Sequence, residues 1–155
     1  MTTLIQKQAI ILPNHNGRVC CIRYSILGLM KHICVNVIYS DIDGYHNHPW
    51  NFTSIILKGS YKETLWKDGE ISSIIHSTGS VINRKHTEYH RVDPLTNKVV
   101  TLFIKGSKRN SYISWIKNNK IIHESKFWIM QGFSKEELRK VYKRMNKYDV
   151  PTNLK

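Results

Sequence analysis

Apolar and polar residues alternate in short runs along most of this chain, and small clusters of turn-forming residues separate the runs. Alternation with a period of two is typical of strands that bury one face, because successive side chains point to opposite sides. About ten such runs recur at intervals of about 8–12 residues, a spacing typical of a β-sandwich or β-barrel. The predicted strands are residues 4–12, 18–27, 33–39, 52–57, 61–67, 70–77, 79–83, 88–92, 98–105, 111–117 and 120–129.

Two pairs of these runs are joined by residues that favour tight turns. Asp68-Gly69 separates the fifth and sixth predicted strands, and Asn118-Asn119 separates the last two. These residue types tolerate the positive φ angles that a two-residue hairpin turn requires. The sequence therefore predicts antiparallel hairpins at both places and a mostly antiparallel sheet.

The pattern changes after residue 131, where apolar residues begin to recur at helical spacing. Ser134 and Glu137 have the spacing of a capping box, and Pro151 marks the end of the segment. The apolar stripe consists of Leu138, Val141, Tyr142, Met145 and Tyr148. We predict one domain in which a β-barrel (1–131) is packed against a C-terminal amphipathic helix and tail (132–155). The predicted fold class is all-β with one C-terminal helix.

The chain is strongly basic. Its 155 residues contain 24 lysines and arginines against 11 acidic residues, which gives a formal net charge of +13. Such an excess favours an anionic partner, such as nucleic acid, a nucleotide or an acidic small molecule. The alternative is compositional, because a chain rich in Lys, Asn and Ile reaches a high charge without any partner. A phage or viral origin also fits this composition.

The cysteines and the hydropathy pattern bear on the compartment. Cys20, Cys21 and Cys34 form an odd set without a Cys-x-x-Cys pair, which favours reduced, buried thiols over disulfides or a catalytic thiol. No apolar run approaches the roughly 20 residues of a membrane span, and no signal peptide is evident at the start of the sequence. We therefore expect a cytoplasmic protein with no membrane association.

Three histidines are the main candidates for chemistry. His46 and His48 are separated by one residue, so in extended backbone both imidazoles point to the same side. His90 lies in a later strand, far enough along the chain to approach them from across a barrel. Three imidazoles suit a divalent metal, with Fe(II) as the first expectation and Zn, Ni or Mn as alternatives. The competing interpretation is a metal-free cavity lined with imidazoles.

Further polar and aromatic residues are candidates for the same cavity. Glu63 and Tyr61 share one face of a strand, which makes Glu63 a candidate acid/base or fourth ligand and Tyr61 a hydrogen-bond donor. An exposed glutamate is the alternative. The candidates for binding a substrate carboxylate or phosphate, or for forming a wall of its pocket, are Arg84, Lys85, Arg91 and Trp50.

The histidines lie within sequence that resembles the two motifs of the cupin superfamily. His46-x-His48 with Gly59 is similar to the first motif, and Gly79 with His90 is similar to the second. The chain departs from the first motif at Phe52, which stands in the position of the glutamate ligand. The resemblance implies a cupin-type antiparallel β-barrel, also described as a double-stranded β-helix or jelly roll.

A narrower likeness connects this chain with small cupin-like proteins of bacteria and phages. It covers about residues 40 to 125 and is carried by four segments. The segments are His46-Asn47-His48-Pro49-Trp50-Asn51-Phe52, Gly59-Ser60-Tyr61-Lys62-Glu63, His90-Arg91-Val92 and Thr101-Leu102-Phe103-Ile104-Lys105-Gly106. An acidic residue of that pattern is replaced by Asn51. Cupins include oxygenases, isomerases and plain binding proteins, so the resemblance leaves the reaction open.

Two functions are compatible with these features. The first is a metal-dependent enzyme, a mononuclear Fe(II) dioxygenase that acts on a small anionic substrate. The second is a non-catalytic binding module for an anionic ligand, either a nucleotide or nucleic acid, and the loss of acidic residues at Phe52 and Asn51 favours it. Since cupins often pair through a terminal strand, we also expect a homodimer that uses residues 4–12.

Overall fold

The computed structural model describes residues 4–11, 19–26, 32–40, 44–109, 113–123, 134–137, 139–140 and 150–153. Within this part of the chain nearly all regular structure is β, as the alternating pattern predicts. The strands are β1 (Leu4–Ile11), β2 (Val19–Ile26), β3 (Ile33–Ile38), β4 (Trp50–Lys58), β5 (Ser60–Lys67), β6 (Glu70–Ser77), β7 (Val81–Arg84), β8 (Tyr89–Pro94), β9 (Val99–Lys108), β10 (Ser114–Lys117), β11 (Lys120–His123) and β12 (Val150–Asn153).

The strands form two antiparallel layers. One layer is a seven-stranded sheet in the order β12-β1-β2-β3-β9-β4-β7. The other contains the three-stranded sheet β6-β5-β8 and the hairpin β10-β11. The main hydrophobic core contains buried residues of both layers, among them Cys21, Ile56, Val99, Tyr61 and Trp115. The prediction of a mostly antiparallel all-β fold is confirmed.

The two predicted hairpin turns are present. Asp68 and Gly69 have φ angles of 51° and 91° and connect β5 to β6, while Asn118 and Asn119 have φ angles of 51° and 56° and connect β10 to β11. Positive φ at both central positions matches the twist of a two-residue hairpin. The turn chemistry in the sequence therefore sets the register of both hairpins.

Gly59 marks the point where the chain passes from the first layer to the second. Its φ angle is +89°, and a Cβ atom there would lie 2.6 Å from the carbonyl oxygen of Lys98 and 2.6 Å from Oγ1 of Thr96. Only glycine fits both the backbone angle and the space. This corner sends β5, and with it Glu63, into the layer that contains His90.

The described part of the C-terminal region begins as predicted. The backbone N–H of Ser134 donates to Glu137 Oε2 at 2.7 Å, and the N–H of Glu137 donates to Ser134 Oγ at 3.2 Å, which is the reciprocal pattern of a capping box. Residues 135–137 and 139–140 are helical. The predicted apolar stripe lies outside the described residues. Strand β12 pairs with β1 and forms the edge of the sheet on that side. A dimer contact through this edge would therefore use β12 and not β1.

The three cysteines are buried and are not disulfide-bonded, as expected. Burial raises the pKa of the Cys21 thiol to about 11, and this thiol therefore stays protonated near neutral pH. Among the described residues, no helix has the length and apolar character needed to cross a membrane.

Candidate metal centre

The segment around His46 joins the two parts of the second layer. The N–H of His46 donates to the carbonyl oxygen of His90 at 3.0 Å, and the N–H of His90 donates back to His46 at 2.9 Å. On the other side, the N–H of Asn47 donates to Ser114 at 3.1 Å and that of Ile116 donates to Tyr45 at 2.9 Å. These bonds insert the segment between β8 and β10 and place two of the three histidines next to each other.

The three imidazoles converge as their spacing predicts. One ring nitrogen of each of His46, His48 and His90 lies within 4.8 Å of the others. Nε2 of His48 is 3.1 Å from Nε2 of His90. Two nitrogens that each lie about 2.1 Å from one ion are separated by about 3.0–3.4 Å at octahedral or tetrahedral angles. The separation of His48 and His90 therefore fits two ligands of a single ion.

Hydrogen bonds select the tautomers that a metal site requires. Nδ1 of His90 lies 2.7 Å from Oε1 of Glu63, and Nδ1 of His46 lies 3.4 Å from the carbonyl oxygen of Gly44. Because both partners are acceptors, each Nδ1 carries a proton, and in the neutral form of each ring Nε2 keeps its lone pair. Two of the three imidazoles are thus prepared to bind an ion through Nε2.

Burial keeps the imidazoles of His46 and His48 neutral. His46 and His90 are 5% and 6% exposed. Burial, with a smaller effect of the neighbouring His90, lowers the pKa of His46 to about 3. Burial also lowers the pKa of His48 well below its ordinary value, with contributions from His46, His90 and Arg23. A neutral imidazole is the form that binds a metal, so the site is suited to a cation at neutral pH.

Glu63 is the centre of a second layer of contacts behind His90. Its side chain is 1% exposed and contacts His90, Arg84 and His76. Nε of Arg84 donates to Oε1 at 3.1 Å, and Nε2 of His76 lies 2.9 Å from Oε2. Burial alone would raise the pKa of this carboxyl, but the hydrogen bonds from His90 and Arg84 lower it to about 2. Glu63 is therefore an ionised, fully engaged carboxylate and not an exposed one.

His76 is a participant that the sequence analysis did not single out. The two-residue turn fixes the β5–β6 register, which pairs Tyr61 with His76 and Glu63 with Ile74. Paired residues share a face, so His76 lies diagonally opposite Glu63. The Asp68-Gly69 turn predicts this register, and the register places His76 on the same face as Glu63.

Asn47 is a second residue that the sequence analysis passed over. Its Oδ1 accepts from the N–H of Ser114 at 2.8 Å, and its Nδ2 donates to the carbonyl oxygen of His86 at 3.0 Å. This buried amide connects the His-x-His segment to β10 and to the loop before β8. A buried amide needs hydrogen-bond partners. The position of Asn47 between two candidate ligands was the feature of the sequence that could have drawn attention to it.

Aromatic rings pack against the imidazoles on two sides. The ring of Phe52 lies 4.8 Å from that of His48 and 5.7 Å from that of His90. Trp115 packs 4.9 Å from His46 on the other side. Within the described residues, His46, His48 and His90 form the one group of three or more His, Cys, Asp or Glu side chains that is close enough to hold an ion.

The other candidate residues occupy different places. Tyr61 is buried with its ring 5.5 Å from that of His76, and burial raises the pKa of its hydroxyl. Arg84 is engaged by Glu63. Arg91 lies on the face of β8 opposite to His90 and pairs with Asp93 at 2.7 Å.

Trp50 is stacked beside His48, with ring centroids 6.3 Å apart. Lys85 is exposed and lines an open groove outside the histidine cluster. The groove is lined by Asn51, Phe52, Thr53, Asn83, Arg84, Lys85, Glu88, Ile104, Lys105 and Gly106. None of the three histidines lines it, so Phe52 separates the groove from the imidazoles.

Comparisons with known proteins relate the chain to solved structures. No protein-family model matches the sequence, and no curated protein matches it. A crystal structure of FeII HppE in complex with substrate matches with a TM-score of 0.53 and 11% identity, over 64% of this chain and 55% of that chain. Hydroxypropylphosphonic acid epoxidase from S. wedmorenis matches with a TM-score of 0.48 and 13% identity, over 63% and 59% of the two chains. The CENP-C cupin domain of Drosophila melanogaster matches with a TM-score of 0.48 and 12% identity, over 56% and 69%.

Proposed function

We propose that this chain, which has the cupin fold, is a metal-dependent enzyme that holds one divalent ion between His46, His48 and His90. The observation that carries the proposal is the convergence of three imidazoles, two of which have Nδ1 engaged by an acceptor outside the cluster. The proposal extends to an oxygenase of the Fe(II) type acting on a small anionic substrate.

The residues of the chain fit such an ion. When bound, a metal of this class supplies Lewis acidity and open positions for a substrate and, as Fe(II), for oxygen. Glu63 orients His90, and Arg84 balances the charge of Glu63. Phe52 keeps water from one side of the imidazoles. We assign Glu63 a positioning role, because both of its oxygens are engaged.

The test is a metal analysis of the full-length protein, purified without a histidine tag and without chelator. We expect close to one equivalent of a divalent metal per chain. His48→Ala should lose the metal and keep its β circular dichroism. His32→Ala is a suitable control, because that histidine is exposed and lies outside the cluster. Less than about one tenth of an equivalent in the wild-type protein, after incubation with Fe(II), Zn, Ni and Mn in turn, would refute a metal site.

One observation favours a second candidate function. An apolar ring, Phe52, stands where the cupin motif has a carboxylate ligand, which is compatible with a barrel that binds a nucleotide or nucleic acid and performs no chemistry. Under this alternative the metal content is low, and affinity for short oligonucleotides falls steeply with salt. Under the first proposal the metal is present, and oligonucleotide binding is weak at 0.15 M salt.

A further inference from the structure

Three aromatic rings form a continuous surface beside His48, on the inner face of the seven-stranded sheet. The rings of Phe52 and Phe103 stack with centroids 4.6 Å apart. His48 lies 4.8 Å from Phe52 and 5.9 Å from Phe103, and Trp50 stacks on its other side. We call Trp50, Phe52 and Phe103 the aromatic floor. One of the three imidazoles thus borders directly on it.

Two cations lie over this floor. The guanidinium carbon of Arg23 is 5.4 Å from the ring centroid of Phe103, and Nζ of Lys105 is 5.4 Å from that of Trp50. Nε of Arg23 donates to Oδ1 of the buried Asn36 at 2.8 Å, which fixes the orientation of the guanidinium. The sheet brings these residues together because β3 pairs with β2 on one edge and with β9 on the other.

These cations differ from the other two arginines near the centre. Arg84 is paired with Glu63, and Arg91 is paired with Asp93. Within the described residues, neither Arg23 nor Lys105 has a carboxylate partner, and Nζ of Lys105 has no hydrogen-bond acceptor. Burial lowers the pKa of Lys105; Cys34 acts against this shift, and the nearby charge of Arg23 acts in its direction.

The indole N–H of Trp50 completes the arrangement. Nε1 of Trp50 is buried and has no hydrogen-bond partner within the described part of the chain. A buried N–H without an acceptor is costly, and so are two like charges held near each other without a counterion. A single oxyanion that accepts from all three groups would remove both costs. Of the three groups, Lys105 also lines the open groove.

We propose that Arg23, Lys105 and the indole N–H of Trp50 form a binding site for an oxyanion, a carboxylate or a phosphate group of the substrate, next to His48. The proposal rests on the proposed function, because it describes how the substrate of that metal centre is held. The anionic group of the substrate lies over the aromatic floor. The remainder of a small substrate then extends toward the imidazoles. The basic net charge of the chain would attract such a ligand to the groove.

The test measures binding of inorganic phosphate and of acetate to the metal-free, full-length protein, because the anion site does not require the metal. The readout is the ¹H–¹⁵N signal of the Trp50 indole during titration of each anion. We expect that signal to shift saturably with one or both anions. The anion that binds more tightly identifies whether phosphate or carboxylate is the preferred group.

Matched variants separate this site from general charge attraction. Arg23→Gln and Lys105→Gln should each weaken binding about tenfold or more, as expected for a lost hydrogen bond to a charged group. Lys105→Arg should restore most of it. Lys108→Gln removes an exposed charge of the same strand and should change binding less than about twofold.

Two results would overturn the proposal. One is a wild-type protein whose Trp50 indole signal does not move with either anion at millimolar concentration, and the other is equal binding by Lys105→Gln and Lys108→Gln. A parallel zinc titration of Arg23→Gln separates the two proposals. If zinc binding is retained while anion binding is lost, both stand. If the wild-type protein binds the anion but no metal, only the metal centre fails.

Discussion

His46 and His90 exchange both of their backbone hydrogen bonds, at 3.0 and 2.9 Å, although they lie far apart in the sequence. Two candidate ligands are therefore direct neighbours across a short antiparallel ladder, and the distance between their Cα atoms is set by main-chain geometry. This makes the histidine cluster part of the junction that holds β8 and β10 in one layer. Changes at this junction should affect both stability and metal binding.

Asn47→Ala tests the junction. The substitution removes the acceptor for the N–H of Ser114 and the donor to His86, and both contacts are at a buried position. We expect a loss of about 2–3 kcal/mol in the free energy of unfolding, with weaker metal binding, because a buried N–H is left without a partner. Urea denaturation and a zinc titration measure the two effects. Asn97→Ala, at an exposed turn, should cost less than about 0.5 kcal/mol. Equal costs would contradict the structural role of Asn47.

The Glu63–Arg84 pair should behave as a buried charge pair. Its side chains are 1% and 14% exposed, whereas those of Asp93 and Arg91 are 20% and 40% exposed. We expect Glu63→Gln to destabilise the metal-free protein by about 3–5 kcal/mol, because Arg84 keeps a partly buried charge without a counterion. Asp93→Asn should cost less than about 1 kcal/mol. Combining Glu63→Gln with Arg84→Met should recover part of the loss, and strict additivity would contradict this interpretation.

Gly59 and Gly79 offer a matched comparison of backbone strain and steric contact. Both have φ near +90°, but a Cβ at Gly59 would meet Lys98 and Thr96 at 2.6 Å, whereas a Cβ at Gly79 meets nothing within 4 Å. We expect Gly79→Ala to cost about 1–2 kcal/mol, from the backbone angle alone, and Gly59→Ala to cost at least about 2 kcal/mol more. Thermal and urea unfolding give both values. If the two variants lose the same stability, the close approach at Gly59 is not a constraint.

The stability of the metal-free protein should fall as the pH decreases from about 6.5. The folded-state pKa of His46 is lowered to about 3 from 6.5, so between these values the unfolded chain binds more protons than the folded chain. His48, whose pKa is also lowered, acts in the same direction. Glu63 adds to the loss only below about 4.5, because its folded-state pKa is about 2.

Urea midpoints at pH 7, 6 and 5 test this dependence. The midpoint should decrease at each step, and His46→Gln should show a smaller decrease because one buried imidazole no longer titrates. A wild-type midpoint that stays constant from pH 7 to pH 5 would contradict the lowered pKa values.

Local patterns in the sequence determined most of the strand content. Alternation and turn residues act over a few residues, so the hairpins at Asp68-Gly69 and Asn118-Asn119 were predictable together with their register. The resemblance of the His46-x-His48 and His90 segments to cupin motifs implied an antiparallel barrel, in which these three histidines were expected to converge. The fold prediction is confirmed, and the convergence of the histidines agrees with it.

The tertiary structure alone decided what surrounds those histidines. The sequence placed Glu63 on one face of a strand. Its contact with His90 depends on the pairing of β5 with β8, and its contact with Arg84 depends on the position of β7 in the other sheet. No local pattern encodes either of these relationships. The meeting of Arg23 with Lys105 depends on β3 lying between β2 and β9, strands that are distant in the sequence. A sequence determines which side chains share a face of one strand, because successive side chains alternate between the two faces of an extended backbone. Which faces meet is decided by the pairing of distant strands, because only the folded core selects it.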